Sequence, residues 1–430
     1  MRLTDKTKAV QRDLARGPFC IFATLRRMAN GALDVFREPA YARFWLARVC
    51  STMSYQVAGV AVGWQVYALT HSTLALGMLG LAQFLPMLLL VLVVGQVADR
   101  FNRRKVLAIC QSIESLTALV LTGATLLHRV DERGIFVAVV VIGAARAFEF
   151  PSMQALVPSL VEESKVPKAI ALSSSAVQTA TILGPALGGV LYALGAQIPY
   201  ACCGGLYLLA ALLSISIPLR RKTLASAPGS RSIFSGINYI RSHRSILGAI
   251  SFDLFVVLLG GATALLPAFA HDILKTGPWG LGLLRLSPAL GALAASFWLA
   301  HHPLGEGAGR KMFAAVVVFG LATIGFALSH QIWLSILLLM VLGASDVVSV
   351  VVRSSLVQLE TPDEMRGRVS AVNSLFIGTS NQLGEFESGV TASCFGLVPA
   401  TILGGVGSMV IAALWIRFFP ELWRLKRLRG

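Results

Sequence analysis

Ionisable side chains lie inside stretches of this sequence that are otherwise apolar: Arg48, Glu114, Arg146, Glu149, Asp253, Arg285, Asp346, Arg353, Glu385 and Glu387. A charge at bilayer depth costs at least about 2.5–3.5 kcal/mol even on the gentlest scale, so retaining this many for packing alone would be wasteful. A carboxyl can take up and release a proton and a guanidinium cannot. A carboxylate beside an arginine is therefore an ion pair that a proton can break. Spacing narrows the pairs. Arg146 and Glu149 are three apart, and Asp346 and Arg353 are seven apart, so each pair shares a helical face. Glu385 and Glu387 stand about 200° apart around a helix and cannot face one groove. Arg285, at a similar depth, is the expected partner of one of them. Depth along the chain predicts an inner layer of Arg48, Glu149, Asp253 and Arg353 and a central pair, Arg146 with Asp346. Glu114 is expected to find a partner on a neighbouring helix.

The elements that must hold these charges are long and apolar. The chain has 430 residues, 55% hydrophobic and 13% charged, with mean hydropathy +0.72, against about 25% charged for soluble domains. Since about 20 apolar residues cross a bilayer as a helix, the pattern predicts an all-α membrane protein with spans at 42–68, 73–97, 105–127, 134–158, 168–195, 198–219, 245–270, 278–300, 312–329, 332–357, 368–393 and 397–419. The formal charge of +16 does not imply nucleic acid. Most Lys and Arg fall in alternate loops, as positive-inside topology requires, and both termini are expected in the cytoplasm. The expected organisation is a tail 1–39, a six-helix bundle 40–219, a basic linker 220–244 with an amphipathic segment 233–240, a second bundle 245–419 and a basic tail 420–430.

The two bundles repeat at an offset of 200. Leu183-Gly184-Pro185-Ala-Leu-Gly188-Gly189 faces Leu383-Gly384-Glu385-Phe-Glu387-Ser-Gly389, and Gly143-Ala144 faces Gly343-Ala344. Related halves put a substrate site near the midplane between them. The seven His fall at span ends or in loops, which removes them from proton chemistry inside the membrane. The six Cys show no ligand spacing. No metal and no cofactor are expected.

Between the second and third spans the sequence reads Gly95-Gln-Val-Ala-Asp99-Arg100-Phe-Asn102-Arg103-Arg104-Lys105. This resembles the loop between helices 2 and 3 of the major facilitator superfamily, Gly-x-x-x-Asp-Arg-x-Gly-Arg-Arg. Asn102 replaces a Gly, and as a residue tolerant of left-handed backbone it is expected to preserve the turn. The equivalent loop of the second half, Gly305 to Lys311, lacks the Asp-Arg pair, which predicts a one-sided latch. Gly184-Pro185-x-x-Gly188-Gly189 resembles the antiporter signature of drug/proton exporters, where the proline bend governs opening of the cavity. Arg146-Ala-Phe-Glu149-Phe-Pro151 resembles the enterobactin-exporter-like branch, in which an arginine here is linked to proton coupling.

The resemblance implies a secondary transporter, not an enzyme, in a bacterial inner membrane. It would export a siderophore- or drug-like small molecule against protons, as a monomer in lipid, with Gly95, Asp99, Arg100, Arg103 and Arg104 as a gating loop. Direction does not follow from charge or span count, so a proton-coupled uptake symporter remains the alternative. A membrane-embedded enzyme would need a nucleophile–base pair or metal cluster at one depth, which the sequence lacks.

Overall fold

The computed structural model describes residues 34–218, 230–302 and 305–425. The expected N-terminal tail up to residue 33, the linker segment 219–229 and the end of the basic tail, 426–430, lie outside the described residues. Among the described residues every regular element is helical. In chain order these are α1 (Pro39–Thr70), α2 (Thr73–Arg100), α3 (Arg103–Leu126), α4 (Glu132–Leu160), α5 (Val166–Leu194), α6 (Ile198–Ile215), α7 (Ser230–Ser242), α8 (Arg244–Leu259), α9 (Gly277–His301), α10 (Ala308–Leu328), α11 (Ile332–Glu360), α12 (Asp363–Phe395) and α13 (Leu397–Phe418). Among the described residues, ten helical segments are long and apolar enough to cross a membrane. Helices meet that demand because each satisfies its backbone internally where no water can.

Turn chemistry sets the ends. The Ser72 hydroxyl accepts from the Ala75 amide at 3.2 Å and Asp131 accepts from Gly134 at 3.0 Å, each serving an amide that the first helical turn leaves without a partner. Proline opens α1, α5, α6 and α9, where its missing N–H costs nothing. The turn 101–102 differs from expectation. Asn102 is extended (φ −66°, ψ 109°), and its side chain caps α3 by accepting from the Arg104 amide at 3.1 Å. Asparagine stands there as an N-cap rather than as a left-handed residue.

Helices α1 to α6 pack on one another, chiefly α1 on α5 and α6, α3 on α4 and α6, and α2 on α4. In the second half α9 and α10 pack on α11, α10 on α13, and α8 on α12 and α13. The two groups meet along α2–α12 and α5–α9. The 200-residue repeat is visible in this contact. A Cβ on Gly189 would lie 2.8 Å from Gly282 Cα, and one on Gly389 would lie 2.5 Å from Gly77 Cα. The last glycine of each repeated motif therefore crosses to the other half at backbone contact distance. Both crossings lie toward the end carrying the turn 71–72, opposite the basic loops.

The span expected at 245–270 is one apolar segment, Arg244–Ile273, but its helix is interrupted. Helix α8 ends at Gly260-Gly261, followed by a 3-10 turn (Ala262–Leu265), one short turn and a π-helical turn (Phe269–Ile273). The break is where α12 comes closest: a Cβ on Gly261 would stand 2.5 Å from the Gly384 carbonyl oxygen. The amphipathic segment of the linker forms α7 and lies on the start of α12, and the Tyr239 hydroxyl donates to the carbonyl of Glu360 at the end of α11 at 3.2 Å.

Candidate functional site

Arg146 and Glu149 of the first half are tied into a network that draws on five helices. Arg146 Nη1 donates to Glu149 Oε2 at 3.3 Å, on its own helix α4. The other oxygen, Glu149 Oε1, accepts from the Ser51 hydroxyl of α1 at 2.6 Å and from Gln111 Nε2 of α3 at 2.9 Å. Ser214 of α6 donates to Gln111 Oε1 at 2.7 Å. Glu149 is 2% exposed, so nearly all its stabilisation comes from these partners. The Arg146 guanidinium lies over the Tyr55 ring at 3.9 Å, and the Tyr55 hydroxyl donates to Gln83 Oε1 of α2 at 2.9 Å. Arg48 is buried in this half and its Nε has no partner.

The second-half charges form their own group. Arg353 of α11 pairs with Asp253 of α8 and places Nη2 3.9 Å from Asp346 Oδ1. Its Nε donates to the Ser349 carbonyl at 3.3 Å. Asp253, Asp346 and Arg353 line a cavity of about 200 Å³ together with Asn373 and Asn381 of α12. The expected central pair does not form, because Arg146 closes on Glu149 and Asp346 on Arg353. Sequence depth is one coordinate only. Residues at equal depth in two pseudo-symmetric halves stand on opposite walls, and the partner on the same wall is nearer.

Between the halves lies a second cavity of about 190 Å³, lined by Tyr55, Gln56 and Gln83 from the first half and Arg285, Gln382 and Glu385 from the second. Arg285 and Glu385 share this cavity without an ion pair between them among the described residues. Gln382 Oε1 is buried with no hydrogen-bond partner. Glu387 is absent from this lining and accepts from the Thr391 hydroxyl at 2.7 Å, in keeping with two carboxyls on different faces. Glu114 is fully buried in α3 and neither carboxyl oxygen has a partner, so the expected neighbour is missing.

The glycines on either side of Pro185 set the position of the wall. A Cβ on Gly184 would come 2.5 Å from Gln56 Cβ, and one on Gly188 would come 3.0 Å from the Val57 carbonyl oxygen, both on α1. Gly189 turns the other way, onto α9. The motif thus packs α5 on α1 within its half and on α9 across the halves.

Residues 30–425 match the family described as transmembrane secretion effector. The chain belongs to this family of the major facilitator superfamily. It is a transporter, not an enzyme, and a multi-pass membrane protein. Its relatives include the enterobactin exporter EntS of Citrobacter koseri, 24% identical over 398 residues that cover 91% of this chain and 94% of the relative. The EntS protein of Salmonella typhi matches at 24% over 397 residues with the same coverage. Among solved structures, a mutant of the nucleoside transporter NupG aligns with TM-score 0.72 at 14% identity, covering 88% of this chain and all of that one. A bacterial homologue of the human lysosomal transporter Spinster, inward-facing and occupied, aligns with TM-score 0.72 at 14% identity, over 90% of this chain and 97% of that one. These likenesses show the superfamily fold.

In this transporter two arginines of the loop stretch hydrogen-bond to backbone of their own half. Arg103 Nη1 donates to the Ala155 carbonyl of α4 at 2.9 Å, and Arg104 Nη1 donates to the Ile217 carbonyl just beyond α6 at 2.8 Å. Arg100 is exposed. The surroundings of Gly95 and of the Asp99 side chain lie outside the described part of the structure. The uncharged polar residues that complete the networks, Ser51, Tyr55, Gln83, Gln111, Ser214 and Gln382, were not anticipated. The available signal was a glutamine inside an apolar span, since an amide there needs a partner as a charge does.

Proposed function

We propose that this transporter exports a small, polar or zwitterionic organic molecule by alternating access, binding it in the cavity between the halves. The observation that carries the reading is the pairing of an arginine and a carboxylate, Arg285 and Glu385, across one enclosed space without an ion pair, beside the unpartnered Gln382 oxygen. Such groups are available to a ligand with both charges. The cavity is about 190 Å³, below the roughly 300–1,000 Å³ of sites for drug-sized ligands, so it has to widen when the halves rock. A siderophore- or drug-like substrate is favoured by likeness to enterobactin exporters.

In this reading the protein has twelve spans. Helices α1 and α12, at 32 and 33 residues, join the ten apolar segments, and their lower hydropathy reflects the Ser, Thr, Asn and Gln side chains they carry along with their charges. The basic loops and both termini face the cytoplasm, and the membrane is the bacterial inner membrane. The backbone crossings Gly189–Gly282 and Gly77–Gly389 then close the outer end. Protons entering from outside neutralise a carboxylate, Asp253, Asp346 or Glu149, freeing its arginine and altering how the wall helices pack. Gly95, Asp99, Arg100, Arg103 and Arg104 act as the cytoplasmic latch, and the unit is a monomer.

The test is transport in inside-out vesicles with an acidified lumen. Candidate siderophores and drugs are expected to accumulate in the lumen and to stop doing so when the gradient is collapsed. Flux that ignores the gradient removes proton coupling. Loss of substrate from the lumen along with protons supports the uptake alternative.

A further inference from the structure

At the end opposite the basic loops, three potential metal ligands from the two halves converge. His71 closes α1, and His271 and Asp272 sit in the π-helical turn after α8. Their ligand atoms lie within 4.8 Å of one another. We infer that His71, His271 and Asp272 form a binding site for a divalent transition-metal ion of the zinc class, which fastens one half to the other.

The backbone departs from regular helix at each contributor. His71 is left-handed (φ 48°) and its amide donates to the Tyr67 carbonyl at 2.8 Å. That conformation costs a side-chain-bearing residue roughly 1–2 kcal/mol, and it sets the His71 ring 5.2 Å from the His271 ring. The π turn, a rare geometry often found at functional sites, ends with Leu274 donating to the Phe269 carbonyl at 2.9 Å, and left-handed Lys275 follows (φ 50°). It carries both His271 and Asp272 to the same spot.

The donor chemistry fits. Imidazole and carboxylate are zinc-class ligands, with bonds of about 2.0–2.2 Å and an open fourth position for water. Tetrahedral bonds of that length separate ligand atoms by roughly 3.4 Å, within reach of side-chain rotation from the present spacing. His271 Nδ1 now donates to Asp272 Oδ1 at 2.7 Å; a metal at Nδ1 takes the place of that proton, and the neutral ring carries its proton on Nε2. The Tyr67 hydroxyl donates to the other Asp272 oxygen and orients it, as outer-shell donors do for metal-bound carboxylates. His271 and Asp272 side chains are 34% and 46% exposed, so an ion reaches them from solution.

The test is calorimetric titration of tag-free, full-length protein in detergent with Zn²⁺, with Mg²⁺ as control, paired with thermal unfolding. Neither reading depends on transport, so failure here is distinguishable from failure of the export reading. One zinc per chain is expected, with a higher melting temperature and no response to Mg²⁺. His71→Asn, which tolerates the left-handed backbone, and His271→Gln are each expected to weaken zinc binding at least 10-fold and abolish the thermal shift. His330→Gln, at the same end, should behave as the unsubstituted protein. Zinc binding unchanged in either His71→Asn or His271→Gln overturns the site, as does loss of binding in His330→Gln.

Discussion

The Arg146 guanidinium rests on the face of Tyr55, 3.9 Å from the ring centroid, while Tyr55 also lines the cavity between the halves. One aromatic ring thus joins the charged network of α4 to the proposed substrate space. A desolvated cation–π contact is worth about 2 kcal/mol, so the ring matters more than its hydroxyl. Tyr55→Phe keeps the ring and loses the donation to Gln83. It is expected to retain most transport, whereas Tyr55→Leu should lower the initial rate by about 10-fold. Vesicle flux for the two variants side by side checks this, and equal losses would put the weight on the hydroxyl.

Asp253 and Asp346 share Arg353 unequally. Asp253 forms the close pair, and Asp346 stands 3.9 Å off with its side chain 48% exposed. Removing one partner of a buried pair leaves the other charge uncompensated, at about 3–5 kcal/mol. Asp253→Ala should therefore lower the melting temperature more than Asp346→Ala, and Asp253→Ala with Arg353→Ala should be milder than the sum of the singles. Arg146→Ala and Asp346→Ala belong to separate groups and are expected to add. Detergent unfolding of the singles and doubles measures all of these relations.

Much of this was legible in one dimension. Turns between spans announce themselves by charge and capping residues, so the helix ends differ from the expected spans by a few residues. The different faces of Glu385 and Glu387 follow from helical geometry, and Glu385 lines the cavity. Partner choice did not follow. Arg146 with Asp346 is a reasonable match by depth and repeat, but depth says nothing about which wall a residue stands on. The run is a span, as its apolarity predicts, but the interruption of its helix at Gly260-Gly261 was hidden because two glycines in an apolar run do not announce a break until the α12 backbone is seen against them. His71 and His271, 200 residues apart, have no local spacing that pairs them.

Glu114 presents two carboxyl oxygens without partners in a fully buried position. A buried polar group left unsatisfied costs about 1–3 kcal/mol, and leucine fills a similar volume without that cost. Glu114→Leu is expected to raise the melting temperature by a few degrees. A fall would mean that the carboxyl has a partner in the folded protein.

The crossing glycines offer a way to bias the conformation. A Cβ on Gly189 would sit 2.6 Å from the Pro278 carbonyl oxygen, and one on Gly389 would sit 2.8 Å from that of Thr73. Backbone atoms cannot yield as a flexible side chain does, so a valine at either position must push the halves apart at the end carrying the turn 71–72. The cavity beneath should then open to that side. In a cysteine-free background, Gln56→Cys placed in the cavity wall is expected to react slowly with a membrane-impermeant maleimide applied from outside. Adding Gly189→Val should speed the reaction at least about 10-fold, in line with the roughly 1.4 kcal/mol that a tenfold population shift requires. Ala322→Val, buried within the second half away from this contact, serves as the control for general loosening. Labelling that stays slow in Gly189→Val and Gly389→Val would mean that these backbone contacts do not hold the outer end closed.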